Sequence, residues 1–331
     1  MSNNLNINIH QLRGLCALNV FISHVLSMIP NIIFDKFSSG FFHIFFDGNC
    51  AVFVFFAITG FFAKNRMYLN LKKAANIIVR KLVKLYPPPH IIMSILAFIL
   101  CNMQLATIPN VYTAWGESFW INGATIHDLL NTILVFPNHD TNILNPPIWY
   151  LSIEFKAVFF LPLIIYILNY STWWLLILIV AMPFVGIDYF LIYIPYLFGS
   201  LGGKIKVPIE KIPSVYLIFG VIVGLLFLNI KNYCCYELSS YITLLSQSIG
   251  SAIIVFSVFY MKVTFKSQFL IFMGTISYEF YLVHFVILLT LRSLVNNISM
   301  LLLLSFAISL SLSIILHKIN HIIKREYESF I

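Results

Sequence analysis

LRGLCALNVFISHVLSMIPNII, residues 12–33, is apolar enough to enter a lipid bilayer, yet it carries an arginine at 13 and a histidine at 24. A helix turns roughly 100° per residue, so eleven residues return it to within about 20° of one face, displaced by about 16 Å. A cation near one membrane surface thereby lines up with an imidazole about half a bilayer deeper. Ionisable groups at such depth are costly to insert and mark substrate or proton paths. Each residue alone has a plainer explanation, His24 as a group bonded to a neighbouring helix and Arg13 as a flanking charge. Their shared face favours chemistry.

The rest of the chain extends this pattern. Of its 331 residues, 60% are hydrophobic and only 10% charged, with a mean hydropathy of +0.92. Soluble domains carry about 25% charged residues, so the expected fold is an all-α polytopic membrane protein. Apolar segments fall at roughly 12–33, 43–63, 86–103, 147–168, 172–187, 188–203, 212–230, 241–261, 268–290 and 298–317. These predict about ten transmembrane helices in one integral-membrane domain over 1–331, with no soluble appendage. No A-x-A-like cleavage site follows the first segment, which is expected to be retained as a span.

Charge orients the spans. Lys64, Arg66, Lys72, Lys73, Arg80, Lys81 and Lys84 lie between spans two and three, and Lys204, Lys206 and Lys211 between six and seven. Lys262 and Lys266 follow span eight, and Lys318, Lys324 and Arg325 follow span ten. The other side holds Lys36, Lys231 and Arg292, beside Glu117, Asp128, Asp140 and Asp188. By the positive-inside rule both termini are cytoplasmic. The net charge of +8 is therefore a membrane-surface property, and no nucleic-acid partner is expected. The outer segment 104–146 contains no Lys or Arg, and its Thr125–Phe136 stretch reads as an interfacial amphipathic helix. The five cysteines have neither zinc-finger nor redox spacing, and no metal is expected.

Two further spans carry polar groups. Span four, opening Asn145-Pro146-Pro147-Ile148-Trp149-Tyr150-Leu151-Ser152-Ile153-Glu154, runs inward and sets Glu154 at a depth similar to His24, as a partner for it. A buried carboxylate must pair or be protonated, and an ion pair with Lys156 or Arg292 is the structural alternative. In span nine, Ser277, Tyr281 and His284 form a stripe at i, i+4, i+7 spacing, which could equally be interhelical glue. At the cytoplasmic mouth of span three, Arg80, Lys81 and Lys84 could clamp phosphates. On residues alone, a lipid-headgroup contact explains them better.

Together these segments resemble the membrane acyltransferase-3 family, which includes bacterial O-antigen, capsule and exopolysaccharide O-acetyltransferases. The first signature, a basic residue, ten residues and then His, is Arg13 through His24. A glycine-initiated block ending F-F-x-x-S-G-F matches Gly48 through Phe61, with Thr59 for the usual Ser. A basic block ending in proline matches Arg80 through Pro87, with Lys84 for the usual Arg. Trp149, Leu151, Ser152 and Glu154 match a W-x-L-S-x-E type block shifted by one residue, and Ser277, Tyr278, Tyr281, Leu282 and His284 match the late S-Y-x-x-Y-L-x-H block.

The resemblance implies acetyl-CoA as donor and an envelope glycan or lipid-linked oligosaccharide as acceptor, in the bacterial inner membrane. It places Arg80, Lys81, Lys84 and Arg13 at the donor's phosphates. His24 would be the base or transient acyl carrier, oriented by Glu154, with Tyr281 or His284 donating to the oxyanion. A transporter or flippase of glycan precursors is the competing expectation, because polar groups near the midplane also suit alternating access.

Overall fold

The computed structural model describes residues 2–28, 43–44, 46–63, 88–103, 113–135, 143–157, 171–181, 193–205, 212–233, 240–262 and 266–330. All regular structure among them is helical. In order come α1 (Ser2–Met28), α2 (Gly48–Ala63), α3 (Pro88–Met103), the single turn α4 (Ala114–Glu117) and α5 (Ile126–Leu134). Next are α6 (residues 149–157), α7 (Thr172–Ala181), α8 (Ile194–Lys204), α9 (Ser214–Leu228) and the turn α10 (Ile230–Tyr233). The chain finishes with α11 (Ser240–Tyr260), α12 (Gln268–Thr275), α13 (Ser277–Arg292) and α14 (Ile298–Phe330).

Tyr241–Tyr260 and Ile298–Ile323 are each long and apolar enough to cross a membrane, and α12 with α13 makes a third if the broken pair is one span. The segment 268–290, expected to be one helix, is interrupted at Ile276. The last helix runs far beyond 317: Glu279, buried near the start of α13, accepts from His317 and Asn320 (3.2 and 3.0 Å) and so anchors its extension.

The chain divides into two compact units. The first takes Met1–Val20, Phe37–Val79 and Lys156–Gly274, and the second Phe21–Lys36, Arg80–Phe155 and Thr275–Ile331. In the first, α2 packs on α8 without side chains between them: a methyl added at Gly60 or Gly199 would collide with the Tyr196 or Ala57 carbonyl. Small residues permit such approach, which substitutes for hydrophobic drive in lipid. Gly60 is the glycine of the second sequence block, so that motif has a packing role. The same unit closes α1 onto α12, where Gly14 and Gly274 face the Leu270 and His10 carbonyls.

In the second unit, α13 is buried along nearly its whole length. The segment between α3 and α6 departs from expectation. α5 forms where the sequence places it, opened by a capping box in which Thr125 and Asp128 satisfy each other's backbone donors. It does not lie across the end of α3. Ala124 N donates to Asn102 Oδ1 (3.2 Å) at the C-terminal end of α3, while the Thr132 and Ile133 carbonyls both lie 3.1 Å from His90 Nε2 at its N-terminal end. α5 therefore runs antiparallel alongside α3. Its exposed stripe is Ile126, Leu130 and Leu134.

The chain then returns to α13. Asn145 Nδ2 donates to the Leu282 carbonyl (2.9 Å), and the Tyr281 hydroxyl donates to the Pro147 carbonyl. Pro146 and Pro147 begin a single 3-10 turn, Pro146–Ile148, that leads into α6, and neither has an N–H to satisfy.

Candidate active site

His24 lies one turn before the end of α1, whose buried stripe there includes Val20, Phe21 and Val25. His284 comes from the middle of α13 and is 1% exposed, whereas His24 is half-buried. Nδ1 of His24 lies 2.8 Å from Nε2 of His284, with the two ring planes 12° apart. Nδ1 of His284 in turn lies 3.1 Å from the Phe280 carbonyl, one turn back on its own helix.

These contacts assign the protons. A carbonyl only accepts, so Nδ1 of neutral His284 carries hydrogen and its Nε2 carries the lone pair. Nδ1 of His24 must then be the donor between the rings. The lone pair of His24 is left on Nε2, which has no hydrogen-bond partner among the described residues. The result is a directional chain from a basic nitrogen through two imidazoles to a backbone carbonyl.

Aromatic rings enclose the pair. Phe285 meets the His24 ring edge-on at 4.9 Å, and Trp115 of α4 lies nearly parallel to it at 6.3 Å. Phe119 closes on both Trp115 (5.0 Å) and Phe285 (5.4 Å). Phe21, Phe280 and Phe306 form the floor, with ring centroids 5.6–6.0 Å apart. Low polarity here strengthens any electrostatic interaction the imidazoles make.

Glu154 is buried on α6 but does not bond His24. Its Oε1 accepts from the Tyr150 hydroxyl at 3.0 Å, an i, i+4 contact on one helix face. The Tyr150 ring packs on Tyr281 at 5.4 Å, and Tyr281 on His284 at 5.8 Å. The direct Glu154–His24 partnership expected from depth is thus replaced by the imidazole pair, because α6 meets α13 at Tyr281 and Glu154 sits a turn further along. Tyr281 spends its hydroxyl proton on Pro147. Arg13 is half-buried on α1 in the first unit. Arg80, Lys81 and Lys84 lie outside the described residues. Among the described residues no group of three His, Cys, Asp or Glu side chains could hold a metal ion.

A buried imidazole pair with its lone pair exposed on one ring is a base, and the sequence blocks that supply it can now be compared with known proteins. A family profile described as an acyltransferase domain matches residues 6–318. The chain belongs to the membrane acyltransferase-3 family. No curated protein and no solved structure matches it.

For an acyltransferase the geometry has a direct meaning. Acyl transfer to a hydroxyl needs a group that removes the hydroxyl proton as the new bond forms. Nε2 of His24 is the nitrogen in the pair with that capacity. His284 fixes the ring's tautomer and orientation, the part a carboxylate plays in a serine-hydrolase triad. Two residues escaped the sequence reading. Trp115 carries no sequence signal beyond its place in the outer segment 104–146, and Arg292 reads as an outer-side charge or as an ion-pair partner of Glu154. Arg292 is fully buried and donates to the carbonyls of Gly116 and Phe119, both just after Trp115 in the chain.

Proposed function

We propose that this acyltransferase moves an acetyl group from acetyl-CoA to a hydroxyl of a cell-envelope glycan, such as O-antigen, capsule or exopolysaccharide, or of its lipid-linked precursor. The chain would cross the bacterial inner membrane about ten times with both termini cytoplasmic, taking the donor from inside and the acceptor at the outer side. The observation that carries this reading is the 2.8 Å contact between His24 Nδ1 and His284 Nε2, in a chain whose family performs acyl transfer.

In the proposed reaction, Nε2 of His24 takes the acceptor's hydroxyl proton while the oxygen attacks the thioester carbonyl. The ester C–O bond forms and the C–S bond breaks, and the proton passes from His24 to the departing thiolate. The positive charge that develops on His24 is shared with His284 and steadied by the Phe280 carbonyl, which lowers the barrier by stabilising charge where it appears. Glu154 acts behind Tyr150 as a support for α6. Arg80, Lys81, Lys84 and Arg13 would neutralise the donor's phosphates; the basis for these four is the sequence block and the coenzyme's charge.

The test is transfer of labelled acetyl from acetyl-CoA to envelope glycan by the purified protein in lipid nanodiscs. The expected product is a base-labile ester on the glycan, absent with His24→Ala. Full transfer by a well-inserted His24→Ala protein would overturn the assignment.

A further inference from the structure

We infer that Arg292 is a positioning residue, whose guanidinium holds the Thr113–Phe119 turn so that Trp115 roofs the His24 ring and keeps water from its basic nitrogen. This rests on His24 being the base proposed above.

The turn is fixed at two ends. Thr113 N donates to the Met28 carbonyl (3.1 Å) and Thr113 Oγ1 to the Ser27 carbonyl (2.6 Å), which ties its start to the end of α1 just past His24. At the other end Nη1 and Nη2 of Arg292 donate to the Gly116 and Phe119 carbonyls. Trp115 sits between these two anchors, against His24, Phe119 and Phe285. A planar guanidinium can bridge two carbonyls three residues apart; a lysine ammonium, a single point on a flexible stem, cannot hold both in one geometry.

Stability alone does not account for this arginine. A buried cation is costly unless fully bonded, and an apolar side chain of similar volume in such a place is often no less stable. What the fork supplies that an apolar residue would not is a fixed path for the backbone immediately after Trp115, whose preceding side Thr113 already holds. Water that reached His24 Nε2 would be deprotonated as readily as a sugar hydroxyl and would attack the thioester, yielding free acid and thiol. A roof held in place directs the acyl group to the acceptor.

The experiment uses the full chain in nanodiscs with Arg292→Met, which keeps volume without charge, and Thr113→Val, which removes the side-chain part of the other anchor. Two readouts are taken: the rate at which diethylpyrocarbonate modifies His24, followed by peptide mass spectrometry, and the ratio of acetyl-CoA hydrolysis to transfer. Labelling of His24 is expected to rise about tenfold in each variant as the local opening equilibrium shifts, and to rise equally in Trp115→Ala. The double variant Arg292→Met/Trp115→Ala should label no faster than either alone. The hydrolysis-to-transfer ratio should rise in parallel. Labelling that increases while the parent protein transfers no acyl group upholds the roof and removes the reaction. Unchanged labelling in both folded variants of an active parent removes the roof and leaves the reaction standing.

Discussion

Nδ1 of His24 points at Nε2 of His284 across 2.8 Å, and with the Phe280 carbonyl behind His284 this contact decides which nitrogen of the first helix is basic. Free imidazoles favour hydrogen on Nε2, so a pair with both protons on Nδ1 is a recognisable state. Nitrogen-15 spectra of histidine-labelled protein should show both residues as Nδ1–H tautomers at neutral pH. Hydrogen on Nε2 of His24 would be incompatible with its role as base.

The two imidazoles should behave as one device. His284→Ala is expected to lower turnover about a hundredfold with the acceptor KM unchanged, since it removes orientation and charge sharing and no substrate contact. His24→Ala should cost more, and the double variant no more than His24→Ala alone. Additive losses in acetyl transfer would show that the rings act independently.

Tyr281 donates to the Pro147 carbonyl, which makes it an anchor for the start of α6. Tyr281→Phe should therefore destabilise the protein by about 1–3 kcal/mol, the range for leaving a buried acceptor unpaired, while turnover of the remaining folded protein stays within about threefold. Glu154→Ala and Tyr150→Phe each remove the 3.0 Å bond between the two side chains and should each give a similarly small loss. A collapse of turnover with unchanged thermal stability in Tyr281→Phe would return the phenol to the oxyanion.

Asp128 caps α5, and hydrogen bonds from the Thr125 side chain and backbone hold its carboxyl below the ordinary value of 3.8. A depressed carboxyl contributes stability above its unfolded value. That contribution declines as pH falls through 3.8 and is gone below the folded value. Amides of residues 126–134 should accordingly lose hydrogen-exchange protection in acid, after correction for intrinsic rates. Thr125→Ala should cost the helix about 1 kcal/mol at neutral pH. Protection that is indifferent to pH would mean that the cap contributes nothing.

Much of this was written in the chain. The eleven-residue interval from Arg13 carried His24 about 16 Å into the apolar segment, and the stripe of Ser277, Tyr281 and His284 marked the polar face of a second helix. The amphipathic pattern of Thr125–Phe136 announced α5. Which side chains meet is a different matter: periodicity gives a residue's height and face, and says nothing of which helix stands opposite. Glu154 and His24 were matched by height, yet α6 approaches α13 at Tyr281, one turn away. The burial of Arg292 was hidden for another reason. Counting basic residues by loop treats each as solvated, and this one is swallowed by two carbonyls contributed from far back in the sequence. The direction of α5 was hidden likewise, since it depends on Asn102 and His90 gripping opposite ends.

The return of the chain at Leu144 and Asn145 bears on how the protein is made. Both residues are buried in non-helical backbone, and the Asn145 amide and the Pro147 carbonyl find their partners on a helix 137 and 134 positions later. Until that helix leaves the ribosome, these groups lack the partners they hold in the folded protein, and burying them unpaired would be costly. The middle of the polypeptide must therefore wait, half-built, for its C-terminal third. A nascent chain halted before residue 277 should be the form that quality-control proteases remove first.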